Sequence, residues 1–401
     1  MDFDFPTEII NEGQVKVLVP KLSNYIEKPS DYAPSKAPVF YNPIMELNRD
    51  IAVLVLQIYQ KILERKLIVC EPMTGCGLRG VRFAVEVDGV YQVLLNDINT
   101  KSANLAVFNA ELNSVSDKIL VSNEDANLFL SRNAAPKKRL DYIDIDPFGT
   151  PVHYIDSALR ALRNNGLIAL TATDMAPLCG VHPRACIRKY GGRPLRTEYC
   201  HELAVRILIG SLTMMAAKHD IGLKVLFSYG INHYIRAYAT INYGAKLSDL
   251  SVKQMGYILH CFSCFYREIV FGLSSFHKEF CPICGAKLEV AGPLWLGKIA
   301  DKNFCSLVLK EIEGRSLGTE KQILKLLIKI KNEAEEQITY YAVDKICDKL
   351  NIPVPPQRVV LNSLRKDGFK AVLTHFNSRG IRTNASASKI TETIIDLISQ
   401  E

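Results

Sequence analysis

The stretch Leu67-Ile-Val-Cys70-Glu-Pro-Met-Thr74-Gly75-Cys-Gly77-Leu-Arg79-Gly80 decides the fold class. Its first four residues are an apolar, partly β-branched run, the mark of a buried strand. The run empties into Gly75-x-Gly77-x-x-Gly80, and the residues that follow can start a helix. Glycines in that context let the backbone turn tightly and approach a nucleotide-like ligand with no Cβ atom between. Leu94-Leu95-Asn96-Asp97 then places a carboxylate seventeen residues after Gly80, at the end of the next apolar run. There it can accept hydrogen bonds from ribose hydroxyls, which NAD and S-adenosylmethionine both carry. The glycines alone fit an ordinary strand-to-helix turn equally well; Asp97 favours a cofactor loop.

Outward from this loop, apolar runs alternate with amphipathic stretches from Lys66 to about Tyr243, the pattern of a parallel sheet covered by helices. The expected strands are Leu67 to Cys70, Gln92 to Asn96, Ile119 to Ser122, Tyr142 to Asp144, Gly166 to Thr171, Leu223 to Phe227 and Ile235 to Ile241. Seven strands make a doubly wound α/β sheet. The last two are joined by Ser228 to Tyr234, too short for a crossover helix, so they should run antiparallel. Arg49 to Leu63 and Glu198 to Lys218 read as helices. After Tyr243 come a cysteine-rich segment and a linker-like stretch around Gly314 to Gly318. Three expected helices follow, Thr319 to Lys331, Ala342 to Leu350 and Pro356 to Lys366, then an extended Phe369 to Thr374. That succession resembles a winged-helix module, with a plain helical appendage as the alternative. The expected division is therefore 1–243 and 244–401.

At 401 residues the chain is too long for one ordinary core, and 48% apolar with 23% charged residues excludes disordered and fibrous classes. The most apolar candidate window, Ala204 to Ala217, is broken at Arg206, so no transmembrane helix and no membrane partner are expected. The acidic start Met1-Asp2-Phe3-Asp4 is unlike a signal peptide, so a cytoplasmic location is expected. The net charge of +7 is uneven. Residues 1–150 carry 16 basic against 20 acidic side chains, and residues 151–401 carry 33 against 22. Arg184, Arg188, Lys189, Arg193 and Arg196 have no acid between them, and Pro353 to Lys389 has seven basic residues against Asp367. A polyanionic partner fits this surplus; ordinary solvated surface is the plainer account.

Among eleven cysteines, Cys261-Phe-Ser-Cys264 and Cys281-Pro-Ile-Cys284 form two C-x-x-C pairs sixteen residues apart. Four thiolates so spaced can close a tetrahedron around Zn²⁺ with no coordination site open to water, so a structural zinc ribbon is expected. Cys70, Cys76, Cys179, Cys186, Cys200, Cys305 and Cys347 lack that spacing and are expected to be buried or incidental thiols.

The end of the fourth expected strand decides between the cofactors. Asp141-Tyr-Ile-Asp144-Ile-Asp146-Pro147-Phe148-Gly149 puts a carboxylate, a proline and an aromatic ring at the carboxyl edge of the sheet. An exocyclic amino group on a base is a poor nucleophile, because its lone pair is delocalised into the ring. A carboxylate that accepts its N–H hydrogen bond and then its proton, beside an aromatic face that stacks the base, meets that difficulty. Hydride transfer has no evident use for the arrangement. An acid capping a turn is the structural alternative.

These residues resemble the tRNA guanine-26 N2-dimethyltransferases, which use S-adenosylmethionine. The resemblance rests on Glu12-Gly-Gln, Phe40-Tyr41-Asn42-Pro43, Asn48-Arg49-Asp50, Gly75-Cys-Gly77-Leu-Arg79-Gly80, Asn96-Asp97 and Asp144-Ile-Asp146-Pro147-Phe148-Gly149. It continues through Thr173-Asp174-Met175, Cys179-Gly180, Lys189-Tyr190-Gly191-Gly192, the four spaced cysteines and Thr374-His375-Phe376. It implies a class I, Rossmann-like methyltransferase domain with an N-terminal extension, then an α+β C-terminal domain that helps to hold tRNA. Under it Arg49, Arg79, Asp97, Asp125 and Ala126 look like cofactor contacts, beside Gly75 and Gly77 of the loop. Asp146 looks like the catalytic carboxylate, with Phe40 and Phe148 around the target guanine. Arg79 suits the methionine carboxylate and Asp125 the adenine amino group; Phe40 and Tyr41 would otherwise read as a hydrophobic anchor. A monomer is expected. The rivals are an amino-methyltransferase for another RNA or DNA base, an NAD-dependent oxidoreductase, and a non-catalytic zinc-ribbon RNA-binding protein.

Overall fold

The structure is a computed structural model and describes residues 3–26, 28, 33–231, 233–274 and 278–399. Met1 and Asp2 of the acidic start, and Asn232 in the last connection of the sheet, lie outside the described residues. An antiparallel hairpin, β1 (Thr7–Glu12) and β2 (Val15–Pro20), precedes the main sheet. That sheet contains β3 (Leu67–Glu71), β4 (Val90–Asn96), β5 (Ile119–Ser122), β6 (Leu140–Ile145), β7 (Leu162–Ala172), β8 (Ile221–Ile231) and β9 (Tyr234–Tyr243), in the order β5-β4-β3-β6-β7-β9-β8. Pairing is parallel from β5 through β7 and antiparallel between β8 and β9, as the short connection predicts. All six residues of β6 are buried, the condition of a strand covered on both faces.

Ile119 to Ser122 is β5 as expected, while the other six expected strands were too short. Ser228 and Tyr229 continue β8 instead of forming a connection, because both are buried and Ser228 Oγ donates to the Ile299 carbonyl at 2.6 Å. Tyr229 packs edge-on against Tyr234 at 5.9 Å, so polar-looking residues serve the interior here.

One compact unit comprises Met1–Pro147, His153–Leu170 and Ser306–Lys325. The helix Glu46–Leu63 is buried along Leu47 to Tyr59, including its charged positions. Those charges are paired: Arg49 is bidentate to Glu12 at 2.7 and 2.6 Å, while Arg82 meets Glu12 at 2.9, Asp50 at 2.7 and Glu86 at 2.7 Å. The stretch expected as a linker, Gly314 to Gly318, is anchored within this unit. Arg315 donates to the Glu86 carbonyl at 2.6 Å and to Gln57 at 3.0 Å, and the Thr319 hydroxyl donates to Asp50 at 2.6 Å. Glycines signalled a turn; the arginine between them ties it down.

The other unit comprises Phe148–Val152, Thr171–Cys305 and Leu326–Glu401, so the expected division after Tyr243 falls inside it. Its helix Cys200–Ala217 is long and apolar enough to cross a membrane by length and composition alone, yet 67% of it is buried within the protein. Arg206 in that helix is ion-paired with Glu202 at 2.8 Å. The cysteine-rich segment is a three-stranded sheet with β10 (Met255–His260) between β11 (Arg267–Phe271) and β12 (Glu289–Trp295). Further on, β13 (Tyr341–Ala342), β14 (Ala371–Leu373) and β15 (Gly380–Thr383) form a sheet in the order β13-β15-β14. Helices Val343–Leu350, Gln357–Lys366 and Ala387–Ser399 share one core with it, through Ile346, Val360, Leu364, Ile381 and Ile394. The succession strand, helix, helix, strand, strand is that of a winged-helix module; β13, β15 and the closing helix were not expected. Arg382, counted with the basic surface stretch, is instead buried and pairs with Glu202 at 3.0 Å and Glu333 at 2.9 Å.

Candidate active site

β3 and β6 lie side by side with Val69 opposite Tyr142 and Cys70 opposite Ile143. β4 and β5 extend the sheet beyond β3, and β7 extends it beyond β6, so the winding reverses between the two central strands. Loops leaving the carboxyl ends of such strands part and leave a crevice, where ligands of open α/β sheets bind. The glycine loop follows β3, Asp97 follows β4 and Asp146 follows β6.

The loop is held from four sides. Gly77 has φ +79°, and a Cβ there would lie 2.8 Å from the Ala106 methyl, so only glycine fits. Glu71 accepts from the Thr74 hydroxyl at 2.9 Å and from Gly80 N–H at 3.0 Å; burial pushes its carboxyl up to about 7, against the pull of Arg79. Asn109 donates to the Cys76 carbonyl at 2.8 Å and also pairs with both backbone groups of Leu18. Asp97 accepts from Gly75 N–H at 2.8 Å and Asn99 N–H at 2.9 Å, and burial raises its carboxyl above the usual range. Neither Glu71 nor Asn109 was expected. Glu71 stands directly before the loop and was the legible one.

Asp125 is exposed and caps the helix Ala126–Arg132, accepting from Asn127 N–H at 2.9 Å and Leu128 N–H at 3.0 Å, while Ala126 is buried behind it. Arg49, expected on the cofactor, also donates to the Asn42 carbonyl at 3.2 Å, and its guanidinium stands 5.9 Å from the Tyr41 ring centre. The paired Glu12 is held below the usual carboxylate range: burial opposes its charge, but Arg49 and Arg82 outweigh burial.

Arg79 reaches back across the crevice floor. It donates to Asp144 at 2.8 Å, to the Asn48 side-chain Oδ1 at 3.0 Å and to Asp146. Asp144 is fixed in turn by the Tyr142 hydroxyl at 2.6 Å. Asp146 retains 18% side-chain exposure where Asp144 has none, so only the former can meet a substrate. The Asn48 amide nitrogen is buried without a hydrogen-bond partner among the described residues, a donor left for a ligand oxygen.

Phe40 is half-buried and Phe148 is 69% exposed. Phe148 follows Pro147 just past the carboxyl end of β6. The turn behind it is clamped: Gly149 N–H donates to the Thr173 hydroxyl at 2.8 Å, and Thr173 N–H returns a bond to the Gly149 carbonyl at 2.9 Å. Asp174 accepts from the Tyr190 hydroxyl and from Lys189 at 3.0 Å. In the basic segment, Lys189 is thus internally paired, and Arg193 meets Glu289 at 2.6 Å. Arg184, Arg188 and Arg196 are exposed and have no ion pair among the described residues.

The four spaced cysteines converge. Cys261 and Cys284 sulfurs are 3.5 Å apart, as are those of Cys264 and Cys281, and all four lie within 4.8 Å of one another. The two knuckles close identically, with Phe265 N–H on the Cys261 carbonyl and Gly285 N–H on the Cys281 carbonyl, both at 2.9 Å. Four sulfurs at tetrahedral-edge spacing fit Zn²⁺. Of the other cysteines, Cys70, Cys76, Cys186, Cys305 and Cys347 are buried as expected; Cys179 and Cys200 are half-exposed and adjacent.

The family model described as N2,N2-dimethylguanosine tRNA methyltransferase matches residues 13–395. A tRNA (guanine(26)-N(2))-dimethyltransferase of Methanobrevibacter smithii is 43% identical over 99% of each chain. A tRNA (guanine(26)-N(2)/guanine(27)-N(2))-dimethyltransferase of Aquifex aeolicus is 37% identical over 97% of this chain and 96% of its own. The solved Trm1 of Pyrococcus horikoshii in complex with S-adenosyl-L-methionine superposes with a TM-score of 0.85 at 35% identity, covering 96% of this chain and 99% of that one. On its sequence and its fold alike, the chain belongs to the N2,N2-dimethylguanosine tRNA methyltransferase family.

Proposed function

We propose that the protein dimethylates the exocyclic N2 of guanine 26 in tRNA, with S-adenosylmethionine as methyl donor. The carrying observation is the family match across residues 13–395, nearly the whole chain. S-adenosylmethionine supplies an electrophilic methyl group on a sulfonium. Gly75, Gly77, Asp97, Asp125 and Ala126 would hold it, with Arg49 behind them, and Asp97 takes the ribose hydroxyls. Phe40 and Phe148 stack the guanine once it leaves the tRNA stack, as a base must before chemistry on its edge. Asp146 accepts the N2 hydrogen bond, aims the nitrogen, and takes the proton from a nitrogen that turns cationic as it gains carbon. Arg79 already pairs with three carboxylates, Glu71, Asp144 and Asp146. Its geometry therefore supports a role in holding Asp146 more strongly than one in neutralising the cofactor's carboxylate. We assign 1–243 to methyl transfer and 244–401, together with the cations of the helix Pro183–Tyr190, to tRNA binding, in a monomeric, cytoplasmic protein. The test is incubation with labelled S-adenosylmethionine and a tRNA transcript, then digestion to identify the nucleoside and its position. Label anywhere other than N2 of guanosine 26 or its neighbour refutes the assignment.

Asp97→Ala is expected to weaken S-adenosylmethionine binding by ~1.5–3 kcal/mol, the worth of hydrogen bonds to a charged group. Calorimetry measures it, and an unchanged dissociation constant in a folded variant removes Asp97 from the site.

The free cations of the helix Pro183–Tyr190 are assigned to tRNA phosphates. Replacing Arg184 and Arg188 with Ala should weaken cognate and non-cognate tRNA alike. It should also flatten the slope of log K against log salt by roughly 0.7–0.9 for each phosphate no longer neutralised. An unaltered slope refutes the assignment.

Cys261, Cys264, Cys281 and Cys284 are assigned to a structural zinc. Cys281→Ser should cost one equivalent of metal and lower the melting temperature while cofactor affinity persists. A disulfide between Cys261 and Cys264 with no metal would overturn this.

A further inference from the structure

Cys179 caps the helix Met175–Leu178, and Cys200 opens the helix Cys200–Ala217, followed at once by His201. One ligand atom from each of the three, two sulfurs and an imidazole nitrogen, lie within 4.8 Å of one another, the same proximity the four ribbon cysteines achieve. All three side chains are half-exposed, so an ion can reach them. The backbone sets this meeting without help from the thiols. Gly180 has φ +88°, and a Cβ there would fall 2.8 Å from the Arg196 nitrogen and 2.9 Å from the Leu195 carbonyl carbon. Only glycine lets the two strands of chain approach so closely. Cys179 N–H is bonded to the Met175 carbonyl at 2.8 Å and Cys200 N–H to the Thr197 carbonyl at 3.2 Å, so each cysteine sits in a fixed turn.

We propose that Cys179, Cys200 and His201 form a second zinc site, separate from the ribbon. Two thiolates and an imidazole are the donors a borderline-soft divalent ion selects, and among the described residues no carboxylate joins the set for a hard one such as Mg²⁺. The imidazole separates this arrangement from a simple dithiol, which has no use for a third donor. Binding forms two Zn–S bonds and one Zn–N bond, and releases the two thiol protons to solvent. Three protein ligands leave a fourth position for water. The ion joins the neck of residues 180–199, the segment that carries Arg184, Arg188, Arg193 and Arg196. A cross-link there removes loop-closure freedom from the segment and holds its cations in one place.

Metal analysis of the full chain, purified reduced and without chelator, tests the site. Two zinc equivalents per chain are expected, falling to one in Cys179→Ser, Cys200→Ser or Cys281→Ser. In cobalt-substituted protein His201→Ala should shift the visible ligand-field bands while the four-thiolate spectrum of the ribbon remains. Should a cysteine variant fail to fold, alkylation of the wild-type protein decides. Cys179 and Cys200 should resist iodoacetamide until a chelator strips the metal. A single zinc that persists in both Cys179→Ser and Cys200→Ser, immediate alkylation of both thiols in the zinc-loaded protein, or a disulfide between them in the presence of one zinc would each overturn the proposal.

Discussion

Asp146→Ala is expected to bind S-adenosylmethionine and tRNA yet transfer methyl groups slower by a factor of ~100 or more, the typical cost of losing a positioned base. The geometry makes this a clean substitution. Arg79, which the variant deprives of one carboxylate, keeps Asp144 at 2.8 Å and Asn48 at 3.0 Å, so the crevice floor remains neutralised and in place. Asp146 is partly exposed, so truncation opens no sealed cavity. Single-turnover rates at saturating substrate are the right measure, because they separate the chemical step from tRNA binding and release. Both methyl transfers should slow, since each removes a proton from the same nitrogen. Near-normal turnover in a folded variant would show that Asp146 neither aims the nitrogen nor takes its proton.

The candidate site's strand ends were legible in the sequence because the residues that mark them are local. A glycine loop after an apolar run, an acid at the end of the next run and Asp-Pro-Phe-Gly at the end of β6 all fall within a few residues of the strand that presents them. The partners that fix them were not, because they come from far along the chain. Glu12 reaches Arg49 across 37 residues, and Asn109 reaches Leu18 across 91. No periodicity encodes such pairings. Polar residues used as interior groups misled the strand boundaries, as at Ser228 and Tyr229. The basic stretch misled for the same reason: a cation is read as surface by default, and only the fold shows that Arg382 faces Glu202 and Glu333. Spacing found the ribbon cysteines, whereas Cys179 and Cys200 meet through the backbone approach at Gly180, which leaves only a lone glycine as its trace.

That buried network gives the largest stability effect expected here. Glu202 is fully buried, ion-paired with Arg206 at 2.8 Å and with Arg382 at 3.0 Å. Arg382 also meets Glu333 at 2.9 Å, and Glu333 meets His375. Glu202→Gln removes one charge from the centre and leaves two buried guanidiniums with a single carboxylate between them. Breaking a buried pair from one side costs about 3–5 kcal/mol, because the remaining charge keeps its desolvation penalty and loses its partner. Chemical denaturation should register that loss, and pairing the change with Arg382→Met should recover much of it by removing the stranded cation. Acid gives an independent check. Burial opposes the charge of both carboxylates, but the guanidiniums outweigh it for Glu202, and His375 with Arg382 outweighs it for Glu333, which falls to about 2. Both are depressed below the ordinary 4.5, so their contribution is present above that pH and is lost as the pH falls toward 2. Glu202→Gln should therefore flatten the acid limb of the stability curve as well as lower its plateau. A loss under ~1 kcal/mol with an unchanged acid limb would mean that the network relaxes into solvent and contributes only what surface pairs do.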